Sequence, residues 1–147
     1  FVESLGCYDK VVTYDQIATL PVTKDAVSVD MAGSKDVLTA VHTRYGDRLK
    51  HSCIVGASHW EERGTAHDLP GAKPAFFFAP NQIAKRTKEW GGAKLQQTIG
   101  EAWTAFMPMV GGWMKVHHGQ GPAEMERVYR AVLENRTRPD EGFVIAP

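Results

Sequence analysis

The sequence has few cysteines, no excess of charge of either sign and no long apolar run, and each absence excludes a class of protein. Its two cysteines, Cys7 and Cys53, form no C-x-x-C unit, so the common zinc and dithiol redox motifs are excluded. Its 17 Lys and Arg residues balance 17 Asp and Glu residues, so no net field gathers nucleic acid or an anionic membrane. No stretch approaches the roughly 18 to 20 apolar residues that span a membrane, and we expect a cytoplasmic protein.

The residues that are present suffice for a hydrophobic core. A chain of 147 residues, 43% of them hydrophobic, predicts a single domain over residues 1–147. The chain begins with Phe1 rather than Met, and Phe1–Gly6 has the pattern of a last helical turn closed by a glycine. We therefore expect that an upstream portion of the protein is missing from this sequence.

Short β-branched runs alternate with stretches of helical periodicity. Strands are predicted at Lys10–Tyr14, Val27–Asp30, His51–Val55, Pro74–Pro80, Met114–Val116 and Gly142–Ala146. Helices are predicted from the cap Ser34 to Gly46, from Gln82 to Trp90 after the cap Asn81, over Leu95–Val110, and from Pro122 to Val132. Residues 57–72 lack periodicity and predict a long loop. A strand, a helix and a strand within about 30 residues make one parallel crossover unit, which indicates an α/β fold.

In this order the segments resemble the second half of the medium-chain dehydrogenase/reductase family, in its zinc-free, quinone-reductase-like branch. The resemblance rests on Phe1–Asp9, Val11–Asp15, Val27–Gly33, Cys53–Gly56 and the closing segment Glu124–Ala146. Ser28–Gly33 followed by Val55–Trp60 is also similar to a bacterial group that carries only a domain-of-unknown-function label. The resemblance implies a Rossmann-like, mostly parallel sheet with helices on both faces.

In that family a glycine-rich turn holds the dinucleotide pyrophosphate, but no G-x-G-x-x-G occurs in this sequence. The resemblance therefore implies that the first strand and helix belong to the missing upstream portion. In the strand order 3-2-1-4-5-6 that first strand is central, so its neighbours would expose apolar edges. We expect a homo-oligomer, or association with the missing N-terminal portion of the same protein.

The resemblance also implies that the carboxyl ends of the strands hold NAD or NADP. Asp15 would accept hydrogen bonds from the adenine ribose and favour NAD, while Asp30 would orient a ribose that Gly33 allows to approach closely. Gly56 and Ala57 would lie near the nicotinamide. Turn formation is the alternative interpretation, in which the aspartates bond to the local backbone and Gly33 serves a tight turn.

Two further residues are assigned roles by the same resemblance. Phe78 would line the cofactor pocket by apolar contact. His59 would be a general acid, because an imidazole titrates near neutral pH, and the alternative is an ordinary loop histidine. No metal site is predicted, because the histidine spacings match neither a zinc finger nor an H-E-x-x-H helix.

Three hypotheses about function follow. The first is the cofactor-binding half of an NAD(P)-dependent oxidoreductase-like protein, inactive as this fragment, in which the cofactor carries the hydride chemistry. The second is a non-catalytic oligomerisation or regulatory module on the same scaffold. The third is an α/β enzyme that acts without a nucleotide, through the loop at residues 57–72.

Overall fold

The protein structure, a computed structural model, describes residues 1–56 and 68–147. It divides into a first unit, Asp9–Lys85, and a second unit, Phe1–Tyr8 with Arg86–Pro147. Each unit combines helices with parallel strands in a small sheet, so the predicted α/β fold class is confirmed. The single domain expected for residues 1–147 remains a prediction.

The first unit is built on a parallel sheet of three strands in the order β1-β2-β3. These strands are β1 (Ala26–Asp30), β2 (Leu49–Ile54) and β3 (Pro74–Phe76). Short 3-10 helices lie at Tyr14–Thr19 and Gly46–Arg48. Because all three strands are parallel, their carboxyl ends meet at one edge of the sheet, which is where open α/β sheets bind ligands.

Helix α1 (Lys35–Tyr45) connects β1 to β2. It begins after Ser34 and ends before Gly46, as the apolar spacing and the two flanking residues predict. Helix α1 contacts β1 and the 3-10 helix Tyr14–Thr19, and among the described residues of this unit the buried apolar ones are Leu38, Leu49 and Ile17. The core of the first unit therefore draws on α1, on that 3-10 helix and on the sheet.

The second unit contains a pair of parallel strands joined by a helix. Its elements in chain order are the 3-10 helix Glu3–Leu5, α2 (Ala79–Trp90, which begins in the first unit), α3 (Gly92–Gly111), β4 (Lys115–Gln120), α4 (Pro122–Leu133) and β5 (Glu141–Ala146). Strands β4 and β5 pair along their whole length. Helix α4 contacts both strands and buries Val128 and Ala131. Along residues 1–56 and 68–147, no helix is long and apolar enough to cross a membrane.

The strand predicted at Lys10–Tyr14 is wrong. The backbone there has no strand, and a 3-10 helix begins at Tyr14. The reason is local hydrogen bonding: the Gln16 side chain accepts the Thr13 N–H at 3.2 Å, and the Gln16 N–H donates to the Thr13 carbonyl at 3.1 Å. Such local bonds compete with strand pairing and favour a turn at this point of the chain.

The prediction for Pro74–Pro80 is correct only in its first half. Strand β3 ends at Phe76, and Ala79 and Pro80 already belong to the first turn of α2. Proline suits that turn because its missing N–H has no partner to lose. Asn81 consequently lies inside α2 instead of capping it.

Candidate functional site

A pocket of about 260 Å³ lies at the carboxyl end of β1. One part of its wall is the chain from Ser28 to Ala32, which includes the last residues of β1. The rest is supplied by Tyr14 and by the apolar side of α1, through Val37, Leu38 and Val41. The pocket therefore lies at the position where a parallel sheet is expected to bind a ligand.

The Asp30 carboxylate organises the turn that leads from β1 into α1. Its Oδ1 accepts the backbone N–H groups of Ala32 and Gly33, each at 2.9 Å. Gly33 has a φ of 78°, a left-handed conformation that favours glycine. The second carboxylate oxygen, Oδ2, is buried and has no hydrogen-bond partner within residues 1–56 and 68–147. Buried polar atoms are nearly always paired, so this oxygen is an acceptor that calls for a donor.

Gly56 holds the ends of β1 and β2 together. The Asp30 carbonyl accepts two N–H groups, from Val55 at 2.8 Å and from Gly56 at 3.2 Å. A Cβ atom at position 56 would lie 1.7 Å from the Met31 carbonyl oxygen. Glycine is therefore required at this position by the close approach of the backbone, whatever ligand binds nearby.

The structure brings together three of the residues that the sequence singles out: Asp30, Gly33 and Gly56 lie at the carboxyl ends of β1 and β2, joined by the bonds just described. Asp15 was predicted to end a strand, and this is wrong. It lies exposed in the first turn of the 3-10 helix, directly after the pocket residue Tyr14. Phe78 follows β3 and is 51% exposed. The cofactor roles of these residues remain predictions.

His59 and Ala57, together with most of the loop expected at residues 57–72, lie outside the described residues. Their proposed roles as general acid and as a neighbour of the nicotinamide stay predictions. Within the described ranges, no group of three or more His, Cys, Asp or Glu side chains is arranged to hold a metal ion.

The first unit also contains a buried histidine network that was not predicted from the sequence. His42 of α1 and Ser52 of β2 are both 0% exposed. Two hydrogen bonds, each 2.9 Å long, hold the imidazole ring. One joins His42 Nε2 to Ser52 Oγ, and the other joins His42 Nδ1 to the Pro70 carbonyl oxygen. A carbonyl can only accept, so Nδ1 carries the hydrogen, and a neutral ring then accepts the Ser52 hydroxyl at Nε2.

This network ties α1 and β2 to the chain segment that leads into β3. A Ser–His pair is also the composition of a nucleophile and its base, but neither side chain reaches solvent. We therefore assign it a structural role, in positioning the elements around the sheet. A signal was present in the sequence, since His42 follows Leu38 by four residues on the apolar side of α1.

A charged cluster closes the β4-β5 pair in the second unit. Asp140 is 7% exposed and accepts hydrogen bonds from Arg138 at 2.9 and 3.3 Å, and its carboxylate lies 3.0 Å from Lys115 Nζ. Two hydrogen bonds hold the pKa of Asp140 well below its ordinary value. The bond from Arg138 has the larger effect, and the bond from Lys115 has the smaller one. Because Lys115 begins β4 and Asp140 precedes β5, this cluster fixes the register of the two strands.

A family model described as "Protein of unknown function (DUF2855)" matches residues 1–138. The chain belongs to this DUF2855 family. The matched range contains the pocket, the Asp30 turn and the buried histidine network, so all three lie within the family's shared region. The similarity to a domain-of-unknown-function group is thereby confirmed. No curated protein and no solved structure matches the chain.

Proposed function

We propose that this chain is the cofactor-binding part of an NAD(P)-dependent oxidoreductase-like protein, related to the zinc-free medium-chain reductases. The pocket at the carboxyl end of β1 would hold a ribose of the nicotinamide dinucleotide. One observation carries the proposal: Asp30 lines this pocket, and its buried Oδ2 has no partner among the described residues. A ribose hydroxyl is a donor of the kind that such an oxygen requires.

The size and the lining of the pocket fit one part of a dinucleotide. A volume of about 260 Å³ is slightly below the roughly 300–1,000 Å³ of pockets that enclose a whole small ligand. The pocket thus suits a single sugar, with the remainder of the cofactor lying outside it. Apolar side chains of α1 form one wall, which would shield a hydrogen bond between the ribose and Asp30 from water and strengthen it.

When bound, the cofactor would supply hydride transfer, and this chain would supply position. Asp30 would fix the sugar through Oδ2, while its Oδ1 keeps the turn closed through Ala32 and Gly33. Division of the carboxylate between these two tasks has a useful consequence. An asparagine retains the oxygen that holds the turn and replaces only Oδ2, the acceptor proposed to bind the ribose.

The test is a titration of the chain with NADH, followed by nicotinamide fluorescence, for the wild type and for Asp30→Asn. The exposed Asp36→Asn in the first turn of α1 is the matched control, because it removes the same charge without touching the pocket. Loss of one charge-assisted hydrogen bond, about 1.5–3 kcal/mol, should weaken binding by roughly 10-fold or more in Asp30→Asn alone.

Far-UV circular dichroism should be the same for all three proteins. Equal NADH affinity of the wild type and Asp30→Asn would show that Asp30 does not bind the cofactor. Absence of NADH binding by the wild type would contradict the proposal as a whole.

A further inference from the structure

Helix α3 carries an apolar stripe whose central side chains are exposed to solvent. The residues Leu95, Ile99, Trp103, Phe106 and Val110 recur at spacings of three and four and so share one side of the helix. At the two ends, Leu95 and Val110 are buried, whereas Ile99, Trp103 and Phe106 are 50%, 61% and 47% exposed. The Trp103 and Phe106 rings contact each other, with centroids 6.5 Å apart.

Polar residues occupy the opposite side of α3. Thr104 donates a hydrogen bond to the Gly100 carbonyl, and Gln97 donates to Glu101 at 2.7 Å. The side of α3 opposite the stripe is thus hydrophilic, so that the exposed apolar surface of this helix is confined to one side. Helix α3 is 20 residues long, and the exposed part of the stripe spans its central two turns, from Ile99 to Phe106.

The stripe is complementary to itself when two copies of α3 run antiparallel. Its centre falls between Ala102 and Trp103, since Ile99 and Phe106 lie at equal distances on either side of that point. In an antiparallel pair, Ile99 of each copy would face Phe106 of the other. The two Trp103 side chains, one from each copy, would lie side by side next to the two-fold axis.

The exposed area is close to what a stable contact requires. Met107 and Met109 border the stripe and are 41% and 52% exposed. Taking roughly 200 Å² for each large side chain, the stripe and these two methionines present about 500 Å². Complete coverage of this surface on two copies would bury at most about 1,000 Å² in total, near the lower limit for a specific interface.

We propose that this chain forms a two-fold symmetric dimer through the α3 stripe, with a second copy of α3 as the occupant. Two-fold pairing uses the same patch on both copies and closes the assembly at two. The proposal holds whether or not the pocket beside Asp30 binds a nucleotide, because it concerns a different surface.

Sedimentation equilibrium over a range of protein concentrations tests the proposal. The wild-type chain should sediment as a dimer. Trp103→Glu and Trp103→Lys should each weaken association by roughly 30-fold or more, as loss of a central interface residue does. The controls Thr104→Glu and Thr104→Lys place the same charges on the polar side of the same helix and should leave the dimer intact.

Mixing the two Trp103 variants gives a sharper result. In a two-fold antiparallel pair the two 103 positions adjoin the symmetry axis, so Trp103→Glu and Trp103→Lys should restore a heterodimer when combined in equal amounts. Restoration would also show that each variant is folded. A wild type that stays monomeric at every concentration, a Trp103→Glu protein that still dimerises, or a mixture that stays monomeric would each overturn the proposal.

Discussion

Replacement of Gly56 by alanine should destabilise the first unit, because the new methyl group has no space. The added Cβ would lie 1.7 Å from the Met31 carbonyl oxygen, whereas real contacts of this kind are not shorter than 3.0 Å. The ends of β1 and β2 would therefore have to separate by at least about 1.3 Å. That movement would break the two hydrogen bonds, now 2.8 and 3.2 Å, that the Asp30 carbonyl accepts from Val55 and Gly56. Two lost bonds and the accompanying strain correspond to about 2–4 kcal/mol.

Equilibrium urea unfolding of Gly56→Ala measures this loss, and hydrogen exchange locates it, since the Val55 and Gly56 amides should exchange faster than in the wild type. Gly100→Ala is the matched control: nothing lies within 4 Å of a Cβ there, and alanine in the interior of α3 should stabilise the chain by about 1 kcal/mol. If Gly56→Ala were as stable as the wild type, the inferred approach of the Met31 carbonyl would be incorrect.

Two other perturbations test the remaining structural assignments. His42→Ala should lower the free energy of unfolding by about 2–5 kcal/mol, because it opens a cavity and unpairs Ser52 and the Pro70 carbonyl; Ser52→Ala should cost less, and additive losses in the double variant would contradict a shared hydrogen bond. The lowered pKa of Asp140 stabilises the folded chain at neutral pH, and this contribution should disappear as the pH falls below about 4. Urea unfolding at several pH values should show a flatter acid limb for Asp140→Asn, and a curve parallel to that of the wild type would refute the assignment.

The sequence predicts best those elements whose signals are local. Helix α1 has a polar residue before it, an apolar side at regular spacing and a glycine after it, and its observed bounds follow these three signals. Helix α3 is likewise indicated by local periodicity, since its apolar residues from Leu95 to Val110 recur over about four turns. Both elements are determined by residues within a few positions of one another, so their existence can be predicted without knowledge of the tertiary structure.

Elements that depend on distant partners are harder to predict. The segment Lys10–Tyr14 has the composition of a strand, but composition alone does not provide a neighbour to pair with. The hydrogen bonds of His42 were not predicted, because its partners lie 10 and 28 residues away in the sequence. The need for glycine at position 56 likewise depends on Met31, which approaches it only after β1 and β2 have paired.

The candidate site was predicted in position more accurately than in detail. Asp30, Gly33 and Gly56 lie at one end of the sheet, where the rule for parallel strands places them, and their roles in binding a cofactor stay predictions. The division of labour between the two oxygens of Asp30 was not predictable, because it depends on the conformation of the turn around Gly33. Tyr14 was assigned to a strand and reaches the pocket from a 3-10 helix instead.

The central claim is that the pocket beside Asp30 is the dinucleotide site, and a titration of the isotopically labelled chain with NAD⁺, followed by amide NMR, tests it most directly. The Ala32 and Gly33 amides donate to the carboxylate that would bind the ribose, so their resonances should shift and saturate together, while those of Gly46–Arg48, at the opposite edge of the same parallel sheet, should follow only weakly. Saturable shifts that avoid residues 28–33, or no shifts at all, would contradict the claim.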